Sequence, residues 1–362
     1  MGRGLRIGVP TVLLVGLLFA AVAHARQPVS YPEGYGRFAV KYTRVRIPVP
    51  VDPRGPEGAF TSLAADVYAP TGGGARPVVQ ISHAWPGTLR EFPLSGWANR
   101  LASRGFVVIV SDRRAGSASP SPSLDQLADT QDFSADVNGE DILRVLRWAI
   151  RQSSAAGSVL YRRVDARHLA IAGHSLGAYF ATFAAVKAKT EGPRLSALVL
   201  LDPTDERLGN HTLNSSLSAA PFVTLPTIVL GSEANQHPIM CDMSDGTDCT
   251  IVSRQEYQAL TGARPRFGLK IVGAVHEDVE DPNTGGTPSK PQQLQMFQRY
   301  GMAWLEFWLR GNCAVTGYFG GRDALRDQAA GKIALYKGAG PRPTCTAKPH
   351  RKPHRRRHDD RD

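Results

Sequence analysis

The chain has 362 residues and a net charge of +11, from 43 Lys and Arg against 32 Asp and Glu. A hydrophobic share of 42% and a charged share of 21% exclude a wholly disordered chain. The 36 Gly follow no every-third repeat, which excludes collagen, and 4 Cys are too few for a disulfide-built miniprotein. A hydrophobic core must therefore carry the fold.

Residues 1–25 have the layout of a secretory signal peptide. Two arginines precede an apolar run of 15 residues from Val9 to Ala23, and Ala23-His24-Ala25 offers small residues for cleavage. An uncleaved membrane anchor is the weaker interpretation, because a spanning helix needs about 20 apolar residues. The sequence predicts cleavage after Ala25 and a secreted or periplasmic protein.

Residues 346–362 are predicted to be a disordered basic tail, because they combine two prolines with dense charge. The tail carries +4 and the signal peptide +2, so about +5 remains for residues 26–345, which are predicted to form one domain. The chain has no recognised nucleic-acid motif, so no specific nucleic-acid partner is expected. The tail is instead a candidate contact to an anionic surface.

The cysteines are expected to pair, because the predicted compartment is oxidising. Of three connectivities, local pairing as Cys241–Cys249 and Cys313–Cys345 is preferred. A metal site is disfavoured, since the chain has no CxxC spacing and no His pair near these cysteines.

Apolar runs alternate with helical patterns along the middle of the chain. Strands are predicted near 38–47, 60–68, 77–83, 105–111, 168–173, 196–201, 226–231 and 266–273. The first two form a predicted antiparallel hairpin. The later runs are apolar throughout, which is typical of parallel strands buried on both faces.

Three helices stand out between and after these strands, over residues 134–152, 176–188 and 291–310. The last begins at Pro291 and is followed by Gly311, a typical start and stop. The pattern predicts an α/β fold: a mostly parallel eight-stranded sheet with helices on both faces.

One pentapeptide carries the chemistry. A predicted strand runs directly into Gly173-His174-Ser175-Leu176-Gly177, and a helix follows. This G-x-S-x-G pattern in a strand–turn–helix setting is a nucleophile elbow, which holds the serine hydroxyl above the sheet. The two glycines are expected to prevent collisions where the chain doubles back. Ser175 is therefore the candidate nucleophile, and His174 is expected to be structural.

A serine nucleophile needs a base, and His276 fits because it follows the last long predicted strand. The histidine in turn needs a carboxylate. Asp202 ends one strand and Glu233 follows the next strand along the chain, so both are candidates. Asp205 is a more distant option.

The oxyanion formed during acyl transfer needs two backbone N–H donors. The amide of Leu176, at the start of the helix after Ser175, is the first. The loop after the strand near 77–83 should supply the second, from Trp85 or Ala84. No metal or organic cofactor is required.

The segments SHAWPGT, RLASRGFVVIVSD, IAGHSLGAYFA, LVLLDPTD and GAVHEDVEDP together resemble the α/β-hydrolase superfamily over roughly residues 35–312. The nearest likeness is to the chlorophyllase and platelet-activating-factor acetylhydrolase group, with dienelactone hydrolase-like and cutinase-like esterases nearby. In that group the catalytic acid follows the sixth strand, so the resemblance implies Asp202 rather than Glu233.

The sequence thus predicts a secreted serine hydrolase that cleaves carboxylic esters, of a small molecule or a lipid, through an acyl-enzyme. Thioesterase or peptidase activity on the same residues is an alternative. So is a catalytically inactive binding protein on a hydrolase scaffold.

Overall fold

The computed structural model describes residues 32–50, 61–84, 94–113, 135–205, 215–234, 252–281, 290–336 and 345. All of them fall in one compact unit. The predicted signal peptide, the basic tail, Trp85 and the pair Cys241–Cys249 lie outside the described residues.

A single sheet holds nine strands from the described parts of the chain. They are β1 (Val40–Pro48), β2 (Ser62–Pro70), β3 (Arg76–Ser82), β4 (Val107–Ser111), β5 (Val164–His174), β6 (Ala197–Leu201), β7 (Thr227–Ala234), β8 (Arg266–Val275) and β9 (Ile333–Leu335). Their spatial order is β1-β2-β4-β3-β5-β6-β7-β8-β9.

The centre of the sheet, from β4 to β8, is parallel. β1 and β2 form the predicted antiparallel hairpin, and β9 adds an antiparallel edge on β8. The mostly parallel α/β architecture is confirmed, but the described residues form nine strands rather than the predicted eight. The additional strand, β9, has three residues, which is too short to give a strand-like alternation in the sequence.

Helices cover both faces of the sheet. They are α1 (Ser95–Ser103), α2 (Ala135–Gln152), α3 (Leu176–Lys187), α4 (Ser216–Ala219), α5 (Val252–Ala259), α6 (Pro291–Arg310) and α7 (Arg322–Ala329). α1 and α6 pack in one hydrophobic core, and α2 and α3 pack in the other.

Alternation along the strands explains the two cores. In β4, Val108 and Val110 belong to the α1/α6 core, whereas Val107 and Ile109 belong to the α2/α3 core. Every residue of β4 and of β6 is buried. An apolar run without alternation is the pattern expected of a strand covered on both faces.

The C-terminal helix and the disulfide beside it follow the sequence pattern. α6 spans the residues predicted for it and ends at Gly311, which adopts a left-handed conformation with φ of 64°. Beyond it, Cys313 and Cys345 form the expected disulfide. Among the described residues, no helix combines the length and the apolar character that a membrane crossing requires.

Candidate active site

Ser175 occupies a strained turn between β5, which ends at His174, and α3, which begins at Leu176. Its φ of 55° and ψ of −123° lie in a region that side-chain-bearing residues rarely adopt. The Ser175 amide donates a hydrogen bond of 3.0 Å to the carbonyl of Leu201, at the end of neighbouring β6. The turn therefore sits at the carboxyl edge of the parallel strands.

The two glycines of the pentapeptide are required by close backbone contacts. A Cβ on Gly173 would lie 2.2 Å from the Gly177 carbonyl oxygen. A Cβ on Gly177 would lie 2.3 Å from the carbonyl oxygen of Ser82, at the end of β3. Both distances are far shorter than carbon–oxygen contact allows. The steric reason inferred from the sequence thus holds, and the elbow packs directly on the strand that precedes the candidate oxyanion loop.

Asp202 and His276 meet at this edge. Oδ2 of Asp202 lies 2.7 Å from Nδ1 of His276, and both residues are buried. Asp202 follows β6 with a positive φ of 40°. Its amide donates to the carbonyl of Leu230, within β7. The sheet therefore fixes the backbone of Asp202 from the neighbouring strand.

Three further donors hold the Asp202 carboxylate. Ser232 donates its amide (2.8 Å) to Oδ1 and its hydroxyl (2.6 Å) to Oδ2, and the hydroxyl of Ser253 on α5 donates to Oδ1 (2.9 Å). Burial by itself would raise the pKa of Asp202, but the hydrogen bonds from His276 and Ser232 outweigh it and hold the pKa below its usual value. Asp202 is therefore an ionised acceptor.

An ionised acceptor fixes the tautomer of the histidine. Because a carboxylate can only accept, Nδ1 of His276 carries a proton and donates to Asp202. In the neutral ring, Nε2 then carries the lone pair, which is the arrangement a general base requires.

Glu233, the alternative acid, lies elsewhere. One of its oxygens accepts from Nζ of Lys270 (2.8 Å) and the other from the amide of Gly273 (2.8 Å). The Lys270 contact is the main cause that lowers the pKa of Glu233. The Asp205 carboxylate accepts instead from Ser215 and Ser216. The structure thus brings Asp202, rather than either alternative, against His276.

His174, the last residue of β5, contacts His276 and directly precedes Ser175. Nε2 of His174 lies 3.0 Å from the backbone carbonyl oxygen of His276, and the two rings are 4.7 Å apart. Ser175 is buried, and its hydroxyl makes no hydrogen bond within the described part of the chain. His276 therefore packs against the residue that precedes Ser175, and the Ser175 hydroxyl is left without a hydrogen bond among the described residues.

The chain after His276 is anchored at several points. Residues His276–Val279 form a single 3₁₀ turn, and the carboxylate of Asp278 accepts the amide of Val275 (2.8 Å). The indole N–H of Trp97 on α1 donates to the carbonyl of Val279 (2.9 Å). These contacts hold His276 on a rigid loop.

The first residues of the candidate oxyanion loop, His83 and Ala84, contact a buried cation. Arg113 donates from its guanidinium to the carbonyl oxygens of His83 (3.2 Å) and Ala84 (2.8 Å). These are the carbonyls of the peptide groups whose N–H belong to Ala84 and Trp85. Leu176, the other predicted donor, is the first residue of α3, where the amides have no partner within the helix.

Sequence reasoning missed the residues that support this site. Ser232 could have been found, since it is polar and follows an apolar strand in the same way as Asp202. Ser253 and Arg113 gave no comparable signal, because their contacts depend on how α5 and the chain after β4 pack. Across the described residues, no set of three or more His, Cys, Asp or Glu side chains is grouped as metal ligands.

Comparison with known proteins places the chain among ester hydrolases. The family described as "PETase: PET hydrolase-like" matches residues 57–312, which is well over half of the chain. A "Cutinase" of Thermobifida fusca (strain YX) is 24% identical over 339 residues, covering 91% of each chain. "Cutinase 1" of Thermobifida cellulosilytica is 24% identical over 277 residues, 76% of this chain and 84% of the relative.

These matches support the resemblance to α/β-hydrolase serine esterases. The narrower likeness to the chlorophyllase and platelet-activating-factor acetylhydrolase group is not confirmed by them. The strained elbow, the parallel sheet and the family match agree: the chain belongs to the PET hydrolase-like family of the α/β-hydrolase fold and is a serine hydrolase of carboxylic esters.

Proposed function

We propose that Ser175, His276 and Asp202 form the catalytic triad of this hydrolase. The observation that carries the proposal is the 2.7 Å contact between Asp202 and Nδ1 of His276 beside the strained turn of Ser175. The two residues come from strands two apart in the sheet and meet at its carboxyl edge, where active sites of parallel sheets lie. Glu233 has no part in this arrangement.

The first step forms the acyl-enzyme. Nε2 of His276 takes the proton of Ser175 as Oγ bonds to the ester carbonyl carbon, and Asp202 stabilises the resulting imidazolium. The tetrahedral intermediate collapses when the carbon–oxygen bond to the alcohol breaks. The departing alkoxide takes the proton from Nε2, so His276 is neutral again and Ser175 carries the acyl group.

The second step repeats the first with water. His276 removes a proton from a water molecule that attacks the acyl carbon, and then returns that proton to Oγ of Ser175. The products are a carboxylic acid, an alcohol and the free enzyme. No cofactor enters either step.

Charge on the intermediate is held by backbone amides. The amide of Leu176 and that of Trp85, or of Ala84, are the proposed donors. Each such donor typically contributes on the order of 10²–10³ in rate. Arg113 supports the role of the Ala84 amide, because a donor bound to the His83 carbonyl also fixes the direction of the Ala84 N–H in the same planar peptide unit.

The proposed substrates are polyesters with chain ends or loops that reach the site, in addition to small esters. The support is the family description, which names PET, and the relatives, which are named cutinases. The same triad could also act on thioesters or amides, since acyl transfer is common to all three.

The test compares the wild-type protein with Ser175→Ala on three substrates: p-nitrophenyl esters of graded length, cutin, and polyethylene terephthalate film. We expect the wild type to release p-nitrophenol and soluble acids, and the variant to release neither while it keeps the wild-type melting temperature. Hydrolysis of small esters alone would limit the substrate class to small esters. Full activity of the variant would overturn the role of Ser175, and no activity in either protein would favour a binding protein.

We also propose that the protein is exported. The support is the signal-peptide pattern of residues 1–25 and the confirmed disulfide between Cys313 and Cys345. The intact mass of protein recovered from a culture medium should correspond to a chain that begins at Arg26. A chain that keeps the first 25 residues and stays with the cell membrane would contradict this prediction.

A further inference from the structure

A second buried histidine–carboxylate pair lies directly behind His276. His174 and Glu280 are both buried, and Nδ1 of His174 lies 3.1 Å from Oε1 of Glu280. Nothing in the proposed mechanism uses either group. Burying two ionisable side chains is costly unless they serve as each other's partners.

The contacts of His174 determine where its protons are. The backbone carbonyl of His276 can only accept, so Nε2 of His174, 3.0 Å away, must be the donor. A neutral ring with its proton on Nε2 presents a lone pair at Nδ1. Nδ1 makes no hydrogen bond in the described part of the chain, although Oε1 of Glu280 lies 3.1 Å away. At that distance a lone pair and a carboxylate oxygen repel each other unless the carboxyl carries a proton.

That proton resides on the carboxyl side. Burial raises the pKa of Glu280 to about 8, and burial together with neighbouring His276 lowers the pKa of His174 to about 3. Glu280 is therefore a neutral acid at pH 7 that can donate to Nδ1, while Nε2 donates to His276.

We propose that Glu280 and His174 are positioning residues that hold the backbone of His276, and with it the imidazole, beside Ser175. The inference rests on the proposed triad. In this proposal the Glu280 carboxyl donates to the free Nδ1 of His174, whose Nε2 donates to the His276 carbonyl. A neutral His174 also places no positive charge 4.7 Å from a ring that becomes imidazolium during catalysis.

The charged surroundings of Glu280 bear on its titration. His83, from the end of β3, and His276 favour its ionised form, whereas Glu277 and Asp281 on its own loop oppose ionisation. Asp202 lies close enough to act on His174 as well. When Glu280 loses its proton at alkaline pH, the carboxylate faces the Nδ1 lone pair, and the support of His276 is lost.

The experiment uses Glu280→Gln, which can still donate to Nδ1, and Glu280→Leu, which cannot. With Leu we expect kcat to fall about tenfold and KM to change less than about twofold, because orientation of the base is lost and substrate contacts are kept. With Gln we expect at least about half of the wild-type kcat at pH 7. The wild-type kcat should decline at alkaline pH as Glu280 ionises, and the Gln variant should lack that decline.

Two controls accompany these variants. Glu306→Gln changes another buried glutamate, one on α6 that pairs with Arg104 at the end of α1, and should leave kcat and its pH profile unchanged. Melting temperatures show whether each variant is folded. The fraction of molecules whose active-site serine reacts with a fluorophosphonate probe corrects kcat for protein that has not folded.

The outcomes separate this inference from the proposed triad. A Leu variant with wild-type kcat, or a Gln variant that keeps the alkaline decline, would overturn the role of Glu280 while Ser175→Ala remains inactive. If Ser175→Ala is active, the triad itself falls, whatever Glu280 does. A failure of the Leu variant to fold leaves the pH profile of the Gln variant to decide.

Discussion

Two histidine–carboxylate pairs lie side by side at the carboxyl edge of the sheet, with their imidazole rings 4.7 Å apart. The carboxyl group is ionised in one pair and protonated in the other. In the pair His276–Asp202 the carboxylate receives three further hydrogen bonds, from Ser232 and Ser253. In the pair His174–Glu280 the carboxyl lies in a buried site where desolvation dominates, and its pKa is raised to about 8.

The difference shows that burial alone does not decide whether a carboxyl is charged. Both acids are buried, and burial raises the pKa of each. Donors aimed at Asp202 reverse the effect, so this acid stays ionised and can stabilise an imidazolium. Glu280 stays protonated and can act as a donor.

Asp202→Asn should break the first pair. The amide can donate to Nδ1 and turn His276 into the wrong tautomer, so kcat should fall by about 10⁴ at neutral pH. Steady-state hydrolysis of a p-nitrophenyl ester measures the loss. A fall of less than tenfold would mean that another acid orients His276.

Removing the hydroxyls of Ser232 and Ser253 should destabilise the ionised form of Asp202 while leaving its carboxyl group in place. The double variant Ser232→Ala/Ser253→Ala loses two hydrogen bonds to a charged group, each typically about 1.5–3 kcal/mol. We expect the pKa of Asp202 to rise and the acid limb of the kcat/KM profile to move to higher pH, with at least about tenfold loss near pH 6. An unmoved acid limb would refute the role assigned to these donors.

The second pair should leave a trace in stability as well as in rate. The pKa of Glu280 in the folded protein is about 8 against an ordinary value of 4.5. Between these two pH values the folded protein keeps a proton that the unfolded chain has lost. The stabilisation is complete below pH 4.5 and is lost as pH rises through about 8.

The Glu280→Gln side chain does not ionise in this range. The difference in melting temperature between this variant and the wild type should therefore shift in favour of the variant from pH 5 to pH 8.5. A change of 1 kcal/mol corresponds to about 2–4 °C for a chain of this size. Thermal unfolding at both pH values measures the gap. A constant gap would show that Glu280 ionises in the folded protein much as it does in the unfolded chain.

Glu233→Gln should have the smallest effect. Its partner Lys270 and its own side chain are each about a third exposed (33% and 39%), and an exposed ion pair contributes at most about 1 kcal/mol. We expect kcat within about twofold of the wild type and a small change in melting temperature. A loss as large as that of Asp202→Asn would restore Glu233 as the acid.

The fold was largely predictable because its signals are local. Apolar runs such as those of β4 and β6 identify parallel strands, and the boundaries of α6 follow from Pro291 and Gly311. β9 escaped prediction because three residues cannot show a periodicity and its pairing with β8 is set by tertiary packing.

The site was predictable in part. The strand–turn–helix pattern locates Ser175, and chain order locates His276. Asp202 and Glu233 could not be distinguished from the residues alone, since each follows an apolar run in the sequence. What separates them is the environment of each carboxyl, and Ser253 and Lys270 reach those positions only in the folded chain. Glu280 escaped for the same reason: the 3₁₀ turn after His276 carries it back to His174.

The most direct test of the account is to locate the residue that a fluorophosphonate probe modifies. Peptide mass spectrometry on the labelled wild-type protein should find one adduct, on Ser175, and labelling of Asp202→Asn should be slower by orders of magnitude. Labelling of another serine, or an active enzyme in which Ser175 stays unmodified, would contradict the account.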